Sequence, residues 1–171
     1  MMFGLTYAQF VATIGLSMLG LPGSDVSVNE NQFRYQFTLG ANAQNKSGPG
    51  QDGFVTITAL SNQKLPLNLF PMYAVGASVD GAVFVNASIA KNFDVAGLTI
   101  TPHFGPVLYQ SDVGNGFSSK ELIQFRTGFQ VSREINDQLS FVAGFYHISN
   151  ASLTSKSAGI DVTHFGVIWR F

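Results

Sequence analysis

The sequence predicts an all-β fold, an eight-stranded antiparallel transmembrane β-barrel, on three observations. Past Asp25 the apolar residues alternate with polar or small ones in eight successive segments, which is the period of strands and not of helices. Charged residues make up 11 % of the 171-residue chain, less than half of the roughly 25 % usual in soluble domains. The polar half of the alternation also carries Arg and Gln, which a dry sandwich core tolerates only when paired but a polar barrel interior accommodates.

Composition removes several functions at once. Nine Lys and Arg against ten Asp and Glu give a net charge of -1, with none of the clustered basic face that nucleic acid requires, so no nucleic-acid partner is expected. The absence of cysteine excludes a disulfide scaffold, a thiol nucleophile and a zinc-thiolate centre.

In chain order, the first element is the uncharged stretch 1–24, long enough at about 20 residues to span a bilayer. An apolar core from Phe10 to Leu21 followed by Gly20-Leu21-Pro22-Gly23-Ser24 reads as a signal peptide, although no Lys or Arg precedes it. The rival reading is a retained apolar helix, because Phe3, Tyr7, Phe10, Ile14 and Met18 recur at three- and four-residue steps. The barrel proper is expected over 32–171.

Its first strand, 32–44, sets Phe33, Tyr35, Phe37 and Leu39 on one face and Arg34, Gln36, Thr38 and Gly40 on the other. After the turn-like run Asn45-Lys46-Ser47-Gly48-Pro49-Gly50 come 53–61 and 66–79, where Pro66 and Pro71 withhold ladder hydrogen bonds. Asp80-Gly81 then turns the chain into 82–93, followed by 98–110 and the loop around Asp112-Val113-Gly114-Asn115-Gly116. Strand 121–133 places Ile123, Phe125, Phe129 and Val131 against Gln124, Arg126, Gly128, Gln130 and Ser132. Asn136-Asp137 leads into 138–150, and the last strand, 161–171, sets Phe165, Val167, Trp169 and Phe171 against His164, Gly166, Ile168 and Arg170. This terminal Phe, with apolar residues at every second position before it, resembles the assembly signal of bacterial outer-membrane barrels. An even strand number with strands of about 9 to 11 residues fits a barrel in that membrane.

Barrels of this kind keep both termini periplasmic, with short turns there and longer loops outside. Loops 45–52, 111–120 and 151–160 and the tight Asp80-Gly81 turn are therefore expected outside, and 62–65, 94–97 and 134–137 inside the periplasm. Counting by twos along 138–150, the lipid-facing set Leu139, Phe141, Ala143, Phe145 continues to His147 and Ser149. Counting back from Phe171, the same face reaches Thr163 and Asp161. A hydroxyl, an imidazole and a carboxylate thus arrive at the outer-leaflet end of two hairpin-paired strands, all on the outer wall. Those are the parts of a Ser-His-acid hydrolase, in which His takes the Ser proton and the acid fixes the His tautomer. The same residue types are also ordinary at an aqueous rim, where a polar group costs only about 0 to 1 kcal/mol. His103, His164, Arg34, Arg126 and Arg170 point inward by parity and read as lumen packing. No metal-ligand spacing accompanies the histidines, and no cofactor is expected.

The segment Tyr146-His147-Ile148-Ser149-Asn150-Ala151, with Gly159-Ile160-Asp161 and an aromatic last strand after a short loop, resembles the outer-membrane lipid A 3-O-deacylase (PagL-type) family. The family pattern is His-x-Ser-Asn-Ala followed by Gly-Ile-Glu, and the likeness is specific over about the last 50 residues. The resemblance implies an outer-membrane esterase that acts on the 3-O-linked acyl chain of lipid A, from the membrane and without a cofactor. It implies Ser149 as nucleophile, His147 as general base, Asn150 as an oxyanion ligand, and Asp161 where the family has Glu. Ser152 in place of a Gly and Lys156-Ser157 in place of Pro-Asn are further departures. The rival class is a non-catalytic small barrel, structural or adhesive, or an inactive relative of the family, and the oligomeric state is left open.

Overall fold

The described residues of the computed structural model are 7–23, 34–42, 53–79, 81–110, 123–149 and 159–171. They form one helix, α1 (Tyr7–Gly20), and the strands β1 (Arg34–Asn42), β2 (Phe54–Leu60), β3 (Leu69–Ser78), β4 (Val83–Lys91), β5 (Phe93–Val95), β6 (Leu98–Gln110), β7 (Ile123–Asn136), β8 (Leu139–Ser149) and β9 (Ile160–Arg170). All pairings are antiparallel, in the order β4-β3-β2-β1-β9-β8-β7-β6, and a β4–β6 pairing joins the two ends into a closed barrel. Closure leaves no open edge, which a spanning sheet needs because lipid offers no hydrogen bonds to backbone.

The ninth strand does not add a stave. Ala90 pairs with His103 and Phe93 with Ile100, the same register, so β5 continues β4 beyond a break at Asn92. The barrel therefore has eight staves, as the alternation predicts. The expected strand 82–93 is corrected in being interrupted at Asn92 and in running on to Val95. Its turn tightens to Ala96 and Gly97, both at positive φ (52° and 79°), a two-residue hairpin turn.

The expected proline trouble falls elsewhere. Pro66 lies ahead of β3 in a 3-10 turn, Pro66–Asn68, where Leu67 and Asn68 take φ of 64° and 58°, and Pro71 pairs normally with Ile89. The interrupted ladder is between β4 and β6. Pairs run to Asn86↔Val107 and resume at Ile89↔Phe104, with Pro106 and its missing N–H in the gap. Asn86 Nδ2 donates to the Pro106 carbonyl at 2.8 Å, recovering one of the bonds lost there.

Alternation sorts the two faces. Phe37, Leu39, Val55, Tyr73, Val85, Phe141, Phe165 and Trp169 are exposed on the outside, while Gln36, Thr38, Thr58, Asn86, His103, Arg126, Gln130 and His164 are buried inside. That is the inverse of a soluble core and the pattern of a membrane barrel. The lumen is filled: Gln36 Nε2 donates to Gln130 Oε1 at 3.0 Å, and the Arg126 guanidinium stacks 4.0 Å from the Tyr146 ring. Here a delocalised cation meets aromatic faces away from water, where such attraction is strongest.

Helix α1 lies against the outer wall. Ile14 and Met18, two of the residues on its anticipated apolar stripe, are buried against Leu69, with Phe129 and Phe145 packed beside them. Phe3 falls outside the described residues. Lys91, outward by parity but only 2 % exposed, donates from Nζ to the Met18 and Leu21 carbonyls at 3.0 and 2.5 Å. An ammonium there satisfies orphan carbonyls at the negative end of the helix dipole. Among the described residues no helix is long and apolar enough to cross a membrane.

Candidate active site

The β8–β9 hairpin builds the site. Its register sets Phe145 opposite Thr163 and His147 opposite Asp161, so the parity of both strands brings imidazole and carboxylate to one face at one height. His147 Nδ1 and Asp161 Oδ1 are 2.5 Å apart. Because an ionised carboxylate only accepts, the shared proton belongs to Nδ1, leaving Nε2 as the basic nitrogen. The two side chains are 14 % and 22 % exposed and Ser149 is 6 % exposed. This sheltering limits the solvent screening of their charges.

Ser149 stands two residues beyond His147 at the end of β8, on the same face. Asn150 lies outside the described residues, as do Ser152, Lys156 and Ser157 of the following loop. His103 and His164 are buried in the lumen. The described residues contain no group of three or more His, Cys, Asp or Glu placed to hold a metal.

Two neighbours on β7 were not singled out in the sequence. Thr127 is the cross-strand partner of His147 and is fully buried, and its Oγ1 makes no hydrogen bond among the described residues. Phe125 is the partner of Ser149, and its ring stacks on Phe104 with centroids 5.8 Å apart and planes 4° from parallel. Parity along 121–133 already puts Phe125 and Thr127 on the lipid side. Only the register across to β8 reveals that they flank Ser149 and His147. Lower on the same wall, Val131, Phe141, Ala143, Phe165 and Val167 line a shallow apolar trough of about 510 Å³.

A family model described as lipid A 3-O-deacylase (PagL) matches residues 31–170. Among solved structures, the chain is similar to a de novo designed transmembrane β-barrel, with TM-score 0.60 and 11 % identity over 84 % of this chain and 98 % of that one. It is similar to the outer-membrane enzyme PagL, with TM-score 0.59 and 13 % identity over 80 % of this chain and 98 % of that one. The outer-membrane protein Ail of Yersinia pestis gives TM-score 0.51 and 10 % identity over 82 % of this chain and 99 % of that one. At such identities the structures establish the fold alone. No curated protein sequence matches.

Proposed function

The chain belongs to the lipid A 3-O-deacylase (PagL) family of outer-membrane deacylases, and from that premise we propose that it removes the 3-O-linked acyl chain of lipid A by a Ser149-His147-Asp161 mechanism. The observation that carries the mechanism is the 2.5 Å contact between His147 Nδ1 and Asp161 Oδ1 on the lipid-side wall, two residues along the strand from Ser149.

In this reading Ser149 Oγ attacks the ester carbonyl carbon while His147 Nε2 takes its proton, and the negative charge of Asp161 stabilises the imidazolium so formed. Asn150 would help bind the developing oxyanion. The tetrahedral intermediate collapses by breaking the bond to the sugar oxygen, which leaves as a free hydroxyl on receiving the proton from His147. Water, deprotonated by the same imidazole, then hydrolyses the acyl-Ser149 ester and releases a fatty acid. No cofactor enters. The wall itself is part of the substrate site: acyl chains lying along it would find the trough over Ala143 below the reacting ester. Cleavage would occur on the outer-leaflet side, with Ser149 and Gly159 at that end and the turns at 96–97 and 137–138 in the periplasm.

Mass spectrometry of lipid A from a Gram-negative host tests the activity. Expression is expected to shift lipid A down by the mass of one 3-hydroxyacyl group, and an unchanged spectrum from cells holding folded barrel would leave the non-catalytic reading.

Residues 1–24 are proposed to be a signal peptide removed on export, in keeping with a family match that begins at residue 31. Intact mass of the membrane-extracted protein is expected to lack them; a full-length mass would instead keep α1 on the wall. After cleavage the Lys91 amine loses its two carbonyl partners, but at the rim of the barrel it can snorkel to water.

A further inference from the structure

We infer that Gly159 is a positioning residue, the absence of whose β-carbon opens the slot in which the His147 imidazole stands; the catalytic part of this inference rests on the mechanism proposed above. A Cβ built on Gly159 would lie 2.3 Å from His147 Cε1, 2.6 Å from Nε2 and 3.5 Å from Nδ1. Real β-carbons essentially never show separations under 3.0 Å. The ring has little freedom to retreat, because on its other nitrogen Asp161 holds Nδ1 at 2.5 Å.

Backbone conformation does not explain the glycine. Gly81 and Gly97 take left-handed φ of 92° and 79°, whereas Gly159 has no such φ and sits in a conformation open to any residue. Space is the requirement. The β8–β9 register, His147↔Asp161 and Ile148↔Ile160, puts residue 159 across from Ser149 when carried one step further. The position facing the nucleophile thus bears no side chain, and the imidazole leans into the room this leaves. Nε2, the atom that would exchange a proton with Ser149, is among the atoms closest to the missing Cβ. Any larger residue at 159 must push the ring away from Asp161, from Ser149 or from both.

Two readouts test this. Gly159→Ala is expected to lower kcat by roughly tenfold or more with KM nearly unchanged, since the displaced group handles the proton and does not hold the acyl chains. Independently of activity, Gly159→Ala should lower the temperature at which the folded barrel shifts to its unfolded gel mobility, and should cost nothing in a His147→Ala background, where the clash has gone. Equal destabilisation in both backgrounds, or kcat equal to that of the unsubstituted protein, overturns the inference. If Gly159→Ala alone does not fold, the double variant must; its failure to fold also overturns it. Should the unsubstituted protein leave lipid A intact, the mechanism falls, while the stability coupling still decides whether Gly159 makes the slot.

Discussion

Ser149→Ala and His147→Ala are each expected to reduce deacylation by about three orders of magnitude or more, a loss of at least about 4 kcal/mol of transition-state stabilisation. The first removes the atom that forms the acyl-enzyme bond, and the second leaves a hydroxyl that is a weak nucleophile at neutral pH. The double variant should be no worse than the more damaged single one, because nucleophile and base act as a unit. Neither change should unfold the barrel. Both side chains stand at the end of β8 on the outer face, apart from the lumen cluster of Phe54, Phe84, Tyr109 and Tyr146. Heat-dependent gel mobility of each variant checks this, beside turnover measured on purified lipopolysaccharide. Near-normal turnover by folded Ser149→Ala would move the nucleophile elsewhere on the wall.

The site was legible in the sequence to the extent that it depends on parity. Counting by twos from Phe171 puts Asp161 on the lipid side, and counting from Leu139 does the same for His147 and Ser149, because a strand's two-residue period needs no knowledge of the partner. What parity cannot supply is height. Whether Asp161 lies level with His147 or a full step away is set by the hairpin register, and that emerges only when β8 and β9 pair. Thr127 and Phe125 were hidden for the same reason, being neighbours across the β7–β8 ladder of residues 20 and 24 positions away in sequence. Gly159 was visible as a letter in a motif. Its role required the position of the imidazole.

The barrel shows the same division. Eight alternating segments predict eight staves, but the break at Asn92 and the gap beside Pro106 depend on which residues meet across β4 and β6. A proline disrupts pairing only where its nitrogen faces a partner expecting a hydrogen bond. Pro66 and Pro71 avoid that situation, the first by preceding β3 and the second within a register that tolerates it.

Substitution at Asp161 should give the second large effect, graded by what each replacement does to the imidazole. Asp161→Asn is expected to lower turnover by about 10² to 10⁴, because the amide can donate to Nδ1 and hold the wrong tautomer, placing a proton on Nε2 where a lone pair is needed. Asp161→Ala should cost less than loss of Ser149 or His147, since an orienting carboxylate is neither the attacking group nor the proton carrier. Asp161→Glu is the informative member. The family carries Glu here, so a shortfall in reach would predict a gain on lengthening. With His147 Nδ1 already 2.5 Å from Asp161 Oδ1, there is no shortfall to repair, and the extra methylene must fold back or drive the ring toward Gly159. Turnover of Asp161→Glu is therefore expected to stay at or below that of the unsubstituted protein. A rise would mean that the productive ring position differs from the one held by Asp161. Unchanged rates in all three variants would reduce the site to a Ser149-His147 dyad and leave Asp161 as a rim carboxylate.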